Sequence, residues 1–175
     1  MKNTIFVFII LIFLSGCRSV NETIEPQNIP AGSFQIILKS TGEVVIDDTD
    51  LDLYEINSNE HILHLNAAGV EKIRSYLKWY TQYTPPRPNP EALLRKDFTV
   101  NFNGVELYSG QFFSQIFSST YSGYIILDVY SFATQTSMTI NAGYPSSTFF
   151  TGSDARNNPD LFKYLTTLGK FKRTN

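Results

Sequence analysis

Cysteine is almost missing from this chain: Cys17 is the only one. A single thiol excludes an internal disulfide and a zinc–thiolate cluster, so the fold must be held by its apolar core alone. Histidine is nearly as scarce, at two residues, His61 and His64. No apolar run is long enough to cross a bilayer as a helix, which takes roughly 20 residues. The longest charge-free apolar stretch, Thr4 to Leu14, stops short of that. An excess of positive charge is lacking as well. Fourteen Lys and Arg stand against sixteen Asp and Glu, a formal net charge of −2, which argues against nucleic acid as a partner and against a polybasic membrane patch.

What the N-terminus does contain is ordered. Lys2 supplies one positive charge, the apolar run follows, and the small residues Ser15 and Gly16 stand directly before Cys17. A positive start, a short apolar stretch and small residues before a cut make a secretory signal. Leu14-Ser15-Gly16-Cys17 resembles the lipobox of bacterial lipoproteins. That resemblance implies a signal over residues 1–16, a diacylglyceryl group on the Cys17 thiol, cleavage before Cys17, and acylation of the new amino end. Several acyl chains hold a protein firmly where one alone is marginal. Arg18, rather than Asp, follows the cysteine. By analogy with enteric lipoproteins this allows outer-membrane sorting where an outer membrane exists. Loss of Lys2 with the signal takes the formal charge to −3.

Residues 17–32 read as the lipidated cysteine and a tether: Arg18 to Gly32 is polar, carries two prolines and has no apolar period. Residues 33–175 read as one α+β domain, of a length that can bury an ordinary core. Phe34, Ile36 and Leu38 alternate as a strand does, and His61 to Leu65 reads as another. Asn66 is a good N-cap for a helix running on to Tyr80 with Val70, Ile73, Leu77 and Tyr80 on its apolar face. The proline cluster from Thr84 to Pro90 predicts a stiff, extended connector, with a short helix over Glu91 to Arg95. Asn103-Gly104 predicts a two-residue type I′ hairpin turn. Pairing outward from it sets Val100 against Leu107 in the core and Thr99 against Tyr108 on the wetter face. Tyr124 to Tyr130 reads as a central strand, with Ser137 to Ala142 beside it. Asn158 and Pro159 open a second helix and Gly169 closes it, with Leu161, Phe162, Leu165 and Leu168 buried. Five to seven strands and two principal helices make a mostly antiparallel sheet with helices packed on one face.

Residues that carry chemistry are few. On a strand, His61 and His64 point to opposite faces and cannot share a metal. From Asp48, carboxylates fall at positions 1, 3 and 5 of a calcium loop, but Leu53 stands where glycine is needed and Asn59 where a bidentate Glu is needed. An acidic turn entering a strand is the expected outcome. There is no Gly-x-Ser-x-Gly and no phosphate-binding glycine loop. No catalytic residue, cofactor or metal is therefore expected. Aromatic residues are plentiful, and most belong in a core. Tyrosine also places a polar tip at a surface, so Tyr108, Tyr121 and Tyr144, near turns or on the wetter hairpin face, are the candidate ligand-binding residues.

The stretch from His61 to Leu77, followed by Phe98 to Gly110, resembles the periplasmic head of the SecD translocation subunit. In both, a strand enters a helix through a small-residue cap and a later strand turns at Asx-Gly. The resemblance spans about residues 61 to 110 and implies an α+β fold that contacts polypeptide without covalent chemistry. The chain departs from that family in having a lipid anchor and no membrane helices. The reading that results is a membrane-anchored envelope lipoprotein whose non-enzymatic domain binds a protein, peptide or envelope component. The alternatives are an envelope-polymer hydrolase with convergent carboxylates and a purely structural lipoprotein. Cys17→Ser is expected to release the protein from the membrane fraction; unchanged retention would refute the anchor.

Overall fold

The Asn103-Gly104 turn folds as its residues dictate: both take positive φ, 52° and 75°, as a type I′ turn requires. It joins two long strands within a computed structural model that describes residues 33–174; the signal, Cys17 and the tether lie outside the described residues. In chain order the strands are β1 (Phe34–Leu38), β2 (Val44–Asp47), β3 (Leu51–Asn57) and β4 (Glu60–Leu65). Helix α1 (Ala67–Ser75) follows, then a short ribbon of β5 (Lys78–Tyr80) and β6 (Arg87–Asn89). The hairpin β7 (Asp97–Phe102) and β8 (Val105–Phe112) leads to β9 (Tyr121–Ile126), β10 (Ser137–Tyr144), helix α2 (Pro159–Thr167) and β11 (Phe171–Thr174). Nine strands form one sheet in the order β11-β3-β4-β10-β9-β8-β7-β1-β2. Its pairs are antiparallel except β11 with β3 and β8 with β9. The architecture is α+β, with a single core.

That sheet is not flat. β3 and β1 stand second from its opposite edges, about 29 Å apart if nine strands were laid flat at ~4.8 Å spacing. Yet the rings of Tyr54 on β3 and Phe34 on β1 meet edge to face, 6.1 Å between centroids. The sheet therefore curls until its two ends share one concave core. Ile36, Phe98, Val100, Phe112, Ile126, Ile140 and Leu63 line that face and are fully or almost fully buried. Both helices add to the same core. α1 contributes Val70 and Ile73, packing against β2 and β4. α2 contributes Leu161 and Leu165, while its Phe162 stacks on Phe171 and its Tyr164 packs on Phe102. α2 thus spans from the β11/β3 end of the sheet to the hairpin end.

The helix starts follow the sequence. The Asn66 side chain accepts from the Gly69 N–H and the Asn158 side chain from the Leu161 N–H, with Pro159 at the first helical position, so donors left orphaned at each N-terminus are satisfied. The helix ends do not follow it. α1 stops at Ser75, and Trp79 pairs across from Pro88 in the ribbon. Trp79 and Tyr80, both strand formers, outcompete the last helical turn once the proline segment folds back to meet them. Tyr80 is accordingly outside the helical stripe and 43% exposed. The segment from Glu91 to Arg95 is a turn rather than a helix, and Leu168 lies past the end of α2, 44% exposed.

Gly110 shows how closely the sheet is packed. A Cβ there would sit 2.3 Å from the Tyr124 carbonyl oxygen and 2.6 Å from the Phe98 ring, so the β8–β9 pairing depends on its absence. Gly110→Ala is expected to lower stability by roughly 2–4 kcal/mol, read as a fall in the urea midpoint.

Candidate functional site

The three tyrosines separate. Hairpin pairing runs Phe102 with Val105 and Asn101 with Glu106, but then Val100 with Tyr108, leaving Leu107 without a partner. One extra residue exchanges the faces of everything beyond it. Tyr108 therefore turns into the core, 6% exposed, and is not a surface binding residue. Its ring packs on Tyr124 at 4.6 Å, and its hydroxyl has no hydrogen-bond partner among the described residues.

Around Tyr108 lies a polar centre inside the curled sheet. Arg156 is 4% exposed. Its Nε and Nη2 grip the Asp154 carboxylate at 2.9 and 2.7 Å, and its Nη1 donates to the Ile140 carbonyl at 2.7 Å. The Tyr124 hydroxyl accepts from the Ala155 N–H at 2.7 Å. Tyr54 and His61 Nδ1 share a bond of 2.9 Å. Burial, with Arg156 nearby, pushes the His61 imidazole down to about 4; burial pushes the Tyr54 and Tyr108 hydroxyls up. Burial also works to raise the Asp154 carboxyl, but its bonds to Arg156 outweigh that and hold it below its ordinary value. A guanidinium taken out of water needs both charge and hydrogen-bond partners. Here the partners come from its own loop and from β10, so the pair fastens the segment after β10 to the sheet.

Tyr121 and Tyr144 are brought together on the opposite, convex face. They are cross-strand partners of β9 and β10, and both pack on Phe113, at 6.3 and 5.0 Å. The Tyr121 ring lies across Gly123, where a side chain would collide with it. Phe117 extends the cluster at 5.5 Å from Phe113, with the Arg95 guanidinium 4.1 Å from its ring centroid. Ile125 is fully buried beneath this face and stands outside the main core cluster.

From Tyr144 a groove follows β10. Ser137, Thr139 and Asn141, alternate residues of the strand, line a cavity of about 540 Å³ with Glu60, Gln115, Leu127 and Asp128. A second cavity of about 200 Å³ shares Glu60, Leu127 and Asn141 with it and ends at Tyr144, Ser146 and Arg156. The two adjoin at these shared residues and together make one groove: the larger part is lined mostly by polar side chains, and the smaller, more apolar part reaches Tyr144. The wall at Ser146 and Ser147 belongs to the loop that Arg156 fastens.

Two other surfaces stand out. A cavity of about 590 Å³ lies between the hairpin tip and α2, lined by Phe102, Val105, Leu107, Lys163 and Tyr164 among others. The β5–β6 ribbon exposes Trp79, Tyr80 and Tyr83, with the Arg87 guanidinium 4.8 Å from the centre of the Tyr83 ring. Reading Lys78 to Tyr80 as helix hid this aromatic ribbon; the signal that could have found it is a Trp-Tyr pair running directly into a proline cluster.

The remaining candidates have structural work. His61 faces the core and His64 the outer face, where its Nε2 meets Glu55 at 3.0 Å. Of the three loop carboxylates, Asp48 and Asp50 are engaged within the fold and Asp52 lies exposed on β3. Asp47 caps a 3-10 turn at residues 48–50, Asp50 accepts from the Asp47 N–H and from Lys72 at 2.7 Å, and Asp48 accepts from the Tyr164 hydroxyl. Among the described residues no cluster of three or more His, Cys, Asp or Glu side chains could hold a metal ion, and no helix is long and apolar enough to cross a membrane. Comparison with known protein families, with curated proteins and with solved structures finds no match.

Because His61 is held neutral, the unfolded chain takes up a proton that the folded one refuses between pH 6.5 and about 4. Stability is therefore expected to fall as pH drops through that window. Urea midpoints measured from pH 7 to 4 check this, and His61→Gln should flatten the slope.

Proposed function

We propose that this chain is a lipid-anchored envelope protein whose α+β domain binds an envelope component in the groove along β10, without covalent chemistry. The anchor rests on the Leu14-Ser15-Gly16-Cys17 motif. The binding role rests on one observation: Tyr144, with Tyr121 beside it on the paired strand, lines the far end of a groove whose larger part is polar. Aromatic rings with a polar tip, beside adaptable hydroxyl and amide groups, are the chemistry of recognition surfaces. The resemblance to the SecD head adds the expectation of non-covalent contact and does not name a ligand. His61, the one imidazole of the interior, is sealed 1% exposed against Tyr54, which supports a structural part for it rather than a proton-transfer one.

The test is co-sedimentation of the detergent-solubilised mature protein with insoluble envelope material. Tyr144→Ala is expected to weaken retention by about tenfold, while Trp79→Ala, on the ribbon, leaves it unchanged. Equal retention of the Tyr144 variant and the wild type, or no retention of either, would overturn the groove as the binding site.

A further inference from the structure

We infer that the ligand of the β10 groove is a strand of neutral saccharide; this rests on the groove being a binding site. The first observation is the chemistry of the floor. Ser137, Thr139 and Asn141 repeat every second residue on one face, a spacing of about 6.6 Å in an extended strand. Their side chains, and that of Gln115 at the rim, make no hydrogen bond to any described residue. Most other polar side chains near β10 are occupied: Gln135 accepts from Ser131, Thr134 bonds the Ser131 carbonyl, and His64 meets Glu55. The groove thus holds a row of free hydroxyl and amide groups, able both to donate and to accept. A polyhydroxylated chain matches that row; a ligand with only acceptors or only donors does not.

The second observation is charge. Glu60 and Asp128 are the ionisable side chains at the rim of the larger cavity, and carboxylates only accept. The single cation on the lining, Arg156, is committed to Asp154 and the Ile140 carbonyl. An anionic polymer would bring its charges against two carboxylates with no free cation to meet them, at the cost of like-charge repulsion. Sugar hydroxyls instead donate to both. The third observation is the closed end. The Tyr144 ring, backed by Phe113 and Tyr121, offers an apolar plane with a polar rim. A sugar ring has the same two-sided character, with apolar C–H faces and a hydroxylated edge. An extended peptide would need pockets for alternate side chains, and the lining of the larger cavity is dominated by polar groups. The combined space lies in the range of ligand clefts, roughly 300–1,000 Å³.

The experiment is calorimetric titration of the mature protein in detergent with three probes: a neutral N-acetylglucosamine tetramer, a sulfated oligosaccharide of equal length, and an extended uncharged hexapeptide. Saturable binding of the neutral tetramer, with the sulfated one at least tenfold weaker, is expected. Asn141→Ala and Thr139→Val should each weaken it roughly tenfold through the lost hydrogen bonds. Trp79→Ala should not change it, and unchanged urea midpoints will show that the variants fold. Peptide or sulfated-sugar binding that equals or exceeds the neutral tetramer overturns the saccharide assignment. So does retention on envelope material that depends on Tyr144 but is not competed by the tetramer, and in that case the groove itself stands as the binding site. Tetramer binding indifferent to both groove substitutions overturns the site.

Discussion

The contact of Phe34 with Tyr54 is possible only because nine strands curl far enough to bring their second and second-last members together. Curling follows from the right-handed twist that strands carry, but twist alone leaves an open sheet with a long apolar face. Here that face is closed on itself and the helices fill what the strands leave. α2 is the clearest case. Phe162 packs on Phe171 and Tyr54 on one side, Tyr164 on Phe102 on the other, so a single helix joins strands remote from each other in the sheet order. The chain has no disulfide to hold this arrangement. The burial of Tyr54, Phe34, Phe98, Phe112 and Phe132 must do it, at about 25 cal/mol for each Å² of apolar surface removed from water.

A closed core leaves no easy place for polar groups, and this one nonetheless contains Arg156, His61 and three tyrosines, with Asp154 meeting Arg156 from the surface. Their arrangement explains why they are tolerated. The Asp154 carboxylate takes Nε and Nη2, the Ile140 carbonyl takes Nη1, and the imidazole stays neutral beside a positive charge. Breaking one partner of such a set costs more than the set contributes. The pair therefore works as a constraint: residues 154–156 cannot leave the sheet without stranding a charge. The loop that begins at Tyr144 and ends at this pair is the wall of the groove, so interior electrostatics set the shape of an exterior surface.

What could be read from the residues alone was whatever depends on near neighbours. The Asn103-Gly104 turn, the Asn66 and Asn158 caps and the opposite facing of His61 and His64 are all fixed within a few positions of the chain. The place of Tyr108 is not legible because the bulge at Leu107 is decided by what packs against Tyr124 on the adjacent strand β9, not by the turn. The end of α1 at Ser75 depends on β6, which begins only at Arg87. Tyr121 and Tyr144 could be picked out as tyrosines near turns, but their meeting depends on β9 pairing with β10, and the groove beside them depends on Glu60 at the start of β4 and Asp128 after β9. Arg156 and Asp154 carry no signal at all in the sequence, since two charged residues in a polar loop look like surface.

The two faces of β10 show how one strand serves both ends. Met138, Ile140 and Ala142 point into the core, where each is buried, and the intervening Ser137, Thr139 and Asn141 point outward as short, unbonded polar groups. Long side chains on the outer face would pair with each other, as Glu55, His64 and Lys172 do on the neighbouring strands. Short ones held by a rigid strand cannot reach a partner and stay available. Rigidity is what makes that availability useful: hydroxyl and amide groups fixed by a buried strand lose little freedom when a ligand binds, and the cost of ordering is met when the protein folds. The strand that anchors the centre of the sheet is thereby also the one best suited to present an array of donors and acceptors in a fixed register.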